Sequence, residues 1–241
     1  MEWTIETFLL ANFILIVSSI LQMATGVSVG MIIVPFLAMI SYSLLPVPVV
    51  LASLTLTVMM AYQGRKHIDT ENMPQIGFGM LLGILIAVYI LKHIEVEHLG
   101  VLFGVLILIS VFISMKIKTF RLGKKVNYSG GFMAGFIGTL ALSGGQILAL
   151  LFQNHPLASV KASLAFLYTL FSLVMLLVFY LVGEFTYAQL ISGLYMMPGF
   201  IIGFLVSPMF AKYFDPKHTK TVVLGMATFG ACILIVKGIG V

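Results

Sequence analysis

The sequence predicts an all-α polytopic membrane protein made of two inverted repeats, each a re-entrant helical hairpin followed by three transmembrane helices. Three observations predict it. Of the 241 residues, 61% are hydrophobic and 9% are charged, whereas a soluble domain carries about 25% charged residues. Two polar, small-residue stretches interrupt the apolar sequence, one in each half. They are Gln22-Met-Ala-Thr25-Gly26-Val-Ser28-Val-Gly30 and Gly138-Thr139-Leu-Ala-Leu-Ser143-Gly144-Gly145-Gln146. Finally, matching segments recur in both halves in the same order.

The N-terminal stretch carries Glu2 and Glu6 and lacks a basic leader region, so residues 5–21 are expected to be retained. A spanning helix needs about 20 apolar residues. Six stretches qualify cleanly: 47–62, 73–91, 99–115, 159–182, 188–210 and 219–237. The regions 8–40 and 128–153 contain the breaks, and each reads either as one broken span or as a hairpin that returns to its own side. Loop charge favours hairpins. With two hairpins, Arg65, Lys66, Lys116, Lys118, Arg121, Lys124, Lys125, Lys161, Lys212, Lys217 and Lys220 share one side, and only Lys92 and Lys237 lie opposite. With two spans, the basic residues divide more evenly. The positive-inside rule makes the basic side cytoplasmic and places both termini outside.

The repeat is legible in three pairs. Pro46…Ala52-Ser53-Leu54 matches Pro156…Ala162-Ser163-Leu164. Gly77-x-x-Met80-x-x-Gly83 matches Gly193-x-x-Met196-x-x-Gly199, and Ser28-Val-Gly30 matches Ser143-Gly-Gly145. Residues 1–115 form the first repeat, 116–127 a basic cytoplasmic connector and 128–241 the second repeat. One hairpin and three spans per repeat make the second copy enter from the opposite side, as in many secondary transporters.

Unwound backbone at membrane depth is tolerated where it is buried in protein or lines a cavity. The helices after the breaks, about 31–40 and 146–153, would begin at the midplane with the positive ends of their dipoles facing each other. That arrangement suits an anion without any buried Lys or Arg. The expected substrate-binding residues are Gln22, Thr25, Gly26, Ser28, Gly30, Thr139, Ser143, Gly144, Gly145 and Gln146 at the breaks. Ser53 and Ser163, repeat mates on the following spans, are added to them. The competing reading of the glycines is close helix packing, and that of the hydroxyls is bonding to their own helix carbonyls. Both breaks fall in register with the repeat, which favours a site.

No Asp, Glu, Lys or Arg lies near the middle of a span. The formal charge of +5 sits in short loops, so a nucleic-acid partner is not expected. Cys232 is alone in an apolar span, and His93 and His98 are spaced wrongly for one helix face, so neither disulfide nor metal is expected. No His-Glu-x-x-His, Ser-His-Asp or phosphate-loop motif is present. The expected partners are therefore a small anion and the lipid bilayer, with no cofactor and no enzymatic activity; homo-oligomerisation is left open.

Thr25-Gly26-Val-Ser-Val-Gly30-Met-Ile-Ile-Val-Pro35, the Pro46…Leu54 stretch and Gly135-Phe-Ile-Gly138-Thr139-Leu-Ala-Leu-Ser143-Gly144-Gly145-Gln146-Ile resemble the TauE/SafE family of membrane permeases over nearly the whole chain. Gly145-Gln146 stands where that family commonly has Pro-Pro, Leu142 stands near a usual glycine, and Val27 and Val29 replace aromatic or small residues. The resemblance implies export of sulfite or an organosulfonate such as sulfoacetate across the bacterial inner membrane, by alternating access. The alternatives on the same fold are an importer or channel for a small carboxylate or other anion. From another class, the alternative is a membrane-embedded enzyme or assembly factor.

Overall fold

The computed structural model describes residues 3–25, 30–116, 123–152, 154–210 and 216–240. Its ten α-helices are α1 (Ile5–Thr25), α2 (Gly30–Ile40), α3 (Val47–Gly64), α4 (Met73–His93), α5 (Val96–Lys116), α6 (Lys124–Ala141), α7 (Gly145–Leu151), α8 (Leu157–Leu181), α9 (Tyr187–Phe210) and α10 (Pro216–Ile239). No strand occurs among the described residues. Among the described residues, seven helices are long and apolar enough to cross a membrane: the expected six and α1. At 21 residues, α1 is about 32 Å long, so the first break comes at the end of a full-length helix rather than inside a shorter one.

Local chemistry starts and stops these helices. Thr186 and Gln189 form a reciprocal capping box at α9: the Thr186 N–H donates to Gln189 Oε1 (2.9 Å), and the Gln189 N–H donates to Thr186 Oγ1 (3.3 Å). Prolines in the opening turns of α3 and α4 cost no intrahelical bond there. Leu142 ends α6 with φ 51° and ψ 19°, the left-handed conformation in which glycine is the usual helix terminator. The family pattern carries a glycine near this point. Here a leucine is held in the glycine conformation, which costs about 1–2 kcal/mol.

Five close pairings hold the bundle together. The α4–α6 pair runs in one direction, with glycines from both helices seated on the opposing backbone: Gly79 on Tyr128, Gly83 on Phe132, Gly131 on Ile76 and Gly135 on Met80. The α1–α9 pair also runs in one direction. Trp3 Nε1 donates to Ser192 Oγ (3.2 Å) at one end, and Ser19 packs on Gly203 further along. In contrast, α5 and α10 run in opposite senses, Gly100 lying against Leu234 and Gly104 against Ala231. Gly64 at the end of α3 packs on Ala162 near the start of α8, while Leu51 near the start of α3 packs on Gly193 of α9.

Asn12 supplies a contact that the sequence did not reveal. Its Nδ2 donates to the Tyr195 carbonyl (3.0 Å) and its Oδ1 accepts from the Gly199 N–H (2.6 Å). Pro198 sits inside α9, where it removes a donor from the ladder, and the buried Asn12 carboxamide bonds the backbone on either side of it. Asn12→Leu would remove both interhelical bonds, each worth about 0.5–1.5 kcal/mol. Thermal unfolding in detergent is expected to show this loss, whereas a wild-type midpoint would show that these bonds do not stabilise the bundle.

Helix ends gather on two faces. Lys92 Nζ donates to the Val182 carbonyl (3.0 Å), which joins the ends of α4 and α8. On the same first face lie Trp3, the Tyr42 hydroxyl against Gly100, and Gly238. On the second face, Asn127 Nδ2 donates to Asn72 Oδ1 (2.9 Å). His155 lies there with Nδ1 3.2 Å from Asp69 Oδ2. Large apolar side chains such as Phe13, Leu81, Leu85, Leu177, Leu205 and Phe229 are exposed between the faces. That belt suits a lipid surround, because the bilayer core is the one solvent in which such exposure is not penalised.

Candidate functional site

Each break joins two helices that pack against each other. Gly144, in the second break, lies against Ala134 and Gly138, and Leu151 lies against Gly130, so α7 returns along α6. In the first pair α2 packs on α1, and the chain comes back to the first face, where Tyr42 meets Gly100. The two breaks touch. A Cβ added at Gly30, the first residue of α2, would lie 1.8 Å from the Leu142 carbonyl oxygen and 2.6 Å from its carbon. The backbones of the two breaks are therefore in direct contact, and only a residue without a side chain allows it.

Beside this contact lies a cavity of about 110 Å³. Gln22, Gly30, Ser53, Thr139, Gly144 and Gly145 of the expected site line it. The rest of the wall is mostly apolar, with Ile33, Met80, Ile84, Phe171, Met175 and Phe200 prominent, and among the described residues it carries no Asp, Glu, Lys, Arg or His side chain. Thr139 is 1% exposed, and its Oγ1 has no hydrogen-bond partner among the described residues. An unpaired buried hydroxyl costs about 1–3 kcal/mol, so a cavity that holds one in place is suited to a ligand that accepts its proton. Ser53 is satisfied by its own helix, donating to the Val50 carbonyl at 2.9 Å, yet it still lines the cavity.

Of the remaining expected residues, those that are described lie outside this lining. Thr25 Oγ1 donates to the Leu21 carbonyl (2.9 Å). Ser143 is wholly buried and shares a hydrogen bond with Ser110 Oγ of α5 (3.0 Å), tying the second break to that helix. Gln146 is buried on α7 but outside the cavity lining. Ser163 sits at the second face, where its Oγ accepts from the Asp69 N–H (2.8 Å). Gly26 and Ser28 lie outside the described residues.

Conversely, the cavity has polar lining that the sequence did not single out as binding. Tyr168 and Ser172 are part of it, beside Thr57. Tyr168, Ser172 and Met175 are spaced four and three residues apart on α8, so they share one face. That spacing was available in the sequence, but α8 is apolar nearly all round, and periodicity does not reveal which side of such a helix faces inward.

Residues 11–234 match the family described as Sulfite exporter TauE/SafE. The chain belongs to the TauE/SafE family. The match covers both breaks and all seven span-length helices in whole or in part. The family is one of membrane transporters of sulfur anions, and the apolar helices make this member a multi-pass membrane protein. No curated protein and no solved structure matches the chain.

Proposed function

We propose that this member of the family exports a small sulfur oxyanion, sulfite or an organosulfonate, by alternating access at the cavity between the two breaks. The observation that carries the reading is the meeting of the breaks, Gly30 against Leu142, beside a cavity that holds the unpartnered Thr139 hydroxyl. A sulfite or sulfonate oxygen accepts hydrogen bonds and donates none, which complements a hydroxyl donor. The α2 helix directs the positive end of its dipole towards Gly30 and the cavity. At seven residues, α7 adds less. Its main contribution is the backbone of Gly144 and Gly145, which lets the ligand approach closely.

The helix directions support an inverted repeat. Under the matches found in the sequence, α3 corresponds to α8 and α5 to α10, and α5 and α10 run in opposite senses. The two same-direction pairs, α1–α9 and α4–α6, exchange under the same correspondence. The Asn12–α9 and Asn127–α4 bonds then become counterparts. Among the described residues the second face holds Arg65, Lys66, Lys116, Lys124 and Lys125. The first face holds Glu6, Glu95, Glu97 and Glu184 beside Lys92 and Lys237. The positive-inside rule makes the second face cytoplasmic. Moving one charge through the membrane potential is worth about 2.3 kcal/mol per 100 mV, so a monoanion can leave an inside-negative cell against a roughly 50-fold gradient without a coupling ion.

Thr139→Val tests the site. Binding of sulfite to the purified protein is expected to weaken by about tenfold to a hundredfold, the value of a hydrogen bond to a charged group. Thermal stability is expected to rise, since an unpaired buried hydroxyl is removed. Unchanged sulfite affinity would remove this hydroxyl from recognition. Efflux and uptake of labelled sulfite in vesicles of known orientation test the direction.

A further inference from the structure

Lys161 does not belong to a loop, where its charge would place it on sequence grounds. It lies in the second turn of α8, half buried, and its Nζ donates to the Met23 carbonyl of α1 at 2.9 Å. Met23 O is one of the last four carbonyls of α1, which have no N–H partner within their own helix. It is also adjacent to Gln22 in the cavity wall. Two turns along α8, at the i+7 and i+11 positions from Lys161, stand Tyr168 and Ser172 of the cavity lining. The lysine thus occupies the cavity-facing stripe of α8, displaced towards the second face and against the end of the helix that leads into the first break.

Its charge is not neutralised locally. Among the described residues no carboxylate lies within salt-bridge distance of Nζ. An ammonium group has three N–H donors, and one is engaged by Met23 O. A lysine held there for packing alone would bear the cost of partial desolvation without an ionic partner.

We propose that Lys161 is the docking cation for the anion at the second-face mouth of the cavity. It holds an oxyanion on its remaining donors before the anion passes along the Tyr168–Ser172 stripe to Thr139. The proposal rests on the reading of the cavity as an anion site. The bond to Met23 O orients the ammonium and couples arrival of the anion to the end of α1. Lys161 acts in capture, so its removal is expected to raise KM and leave the slow conformational step nearly untouched.

The experiment uses the full chain in proteoliposomes, with sulfite as the probe at low and high ionic strength. Lys161→Gln is expected to raise KM roughly tenfold with kcat changed less than about twofold, as loss of one steering charge predicts. The salt dependence of KM seen in the wild-type protein should largely disappear. Lys161→Arg, which keeps the charge and the donors, should restore most of the affinity. A fall in kcat and thermal stability at unchanged KM would overturn the proposal and make Lys161 only a cap of α1. An unchanged KM for Lys161→Gln beside a raised one for Thr139→Val would also overturn it and retain the cavity. If neither variant changes sulfite affinity, the cavity reading and this proposal fall together.

Discussion

Gly30→Ala is expected to reduce transport by about a hundredfold, the largest functional effect of any single methyl group in this protein. The added carbon would sit 1.8 Å from the Leu142 carbonyl oxygen and 2.7 Å from the Leu142 Cβ. The nearest obstacle is backbone, and Leu142 is already in the left-handed region, so neither side can give way by a change of rotamer. The two breaks must move apart, and they carry the cavity lining with them. A displacement of about 1 Å at a positioned site is worth about a hundredfold in rate. The measurement is sulfite flux in proteoliposomes, paired with thermal unfolding of the same preparation. Wild-type flux would show that contact between the breaks is not needed for transport.

Gly79→Leu is expected to have the largest effect on stability. A Cβ at Gly79 meets the Tyr128 carbonyl oxygen at 2.1 Å and the Phe132 nitrogen at 2.8 Å. Glycines answer one another along this contact, Gly131 on Ile76 and Gly135 on Met80, so moving one turn disturbs the whole pairing. Overpacking of this kind costs about 1–3 kcal/mol and occasionally more; here, with backbone on both sides, the upper end or beyond is expected. Gly77→Ala is the control. Its Cβ would meet only Phe171, at 3.7 Å, and alanine gains up to about 1 kcal/mol of helix propensity. Unfolding midpoints in detergent should therefore move in opposite directions. A shared direction would show that glycine acts here through helix propensity and not through contact.

This contrast also shows how much the sequence revealed. Gly77 and Gly83 drew attention as a repeated motif, but only Gly83 of the two is a tight contact, and Gly79 between them is the tightest. Spacing marks a helix face, and it does not tell which helix that face meets. The site was legible to a similar degree. Both breaks were visible as polar interruptions, and the helices predicted at about 31–40 and 146–153 are found at Gly30–Ile40 and Gly145–Leu151. Six of the twelve expected residues line the cavity. Ser143 and Ser163 have the right chemistry, but they face Ser110 and Asp69 instead. A hydroxyl at a break satisfies a neighbouring helix as readily as a ligand, and nothing local distinguishes the two.

Lys161 was misplaced for a related reason. Counted among the loop charges, it read as a solvated group. Folding brings it to the end of α1, more than a hundred residues away in the chain. Long polar side chains at a membrane boundary have the reach to find either water or a partner, and only the positions of neighbouring helices decide between them.

By itself, the sequence determined that this is a membrane protein, where its helices run and where they break. It also determined which family it belongs to. These properties follow from local physics: an apolar run long enough for a bilayer, prolines and capping groups at the ends, and small residues where the ladder stops. The tertiary structure decided that the two breaks meet at Gly30 and Leu142 and that Thr139 faces a cavity while Ser143 does not. It also decided that Asn12 bonds the α9 backbone on either side of Pro198. In helices apolar on nearly every side, the sequence pattern specifies length and depth but not rotation. Rotation is settled only when one backbone packs against another.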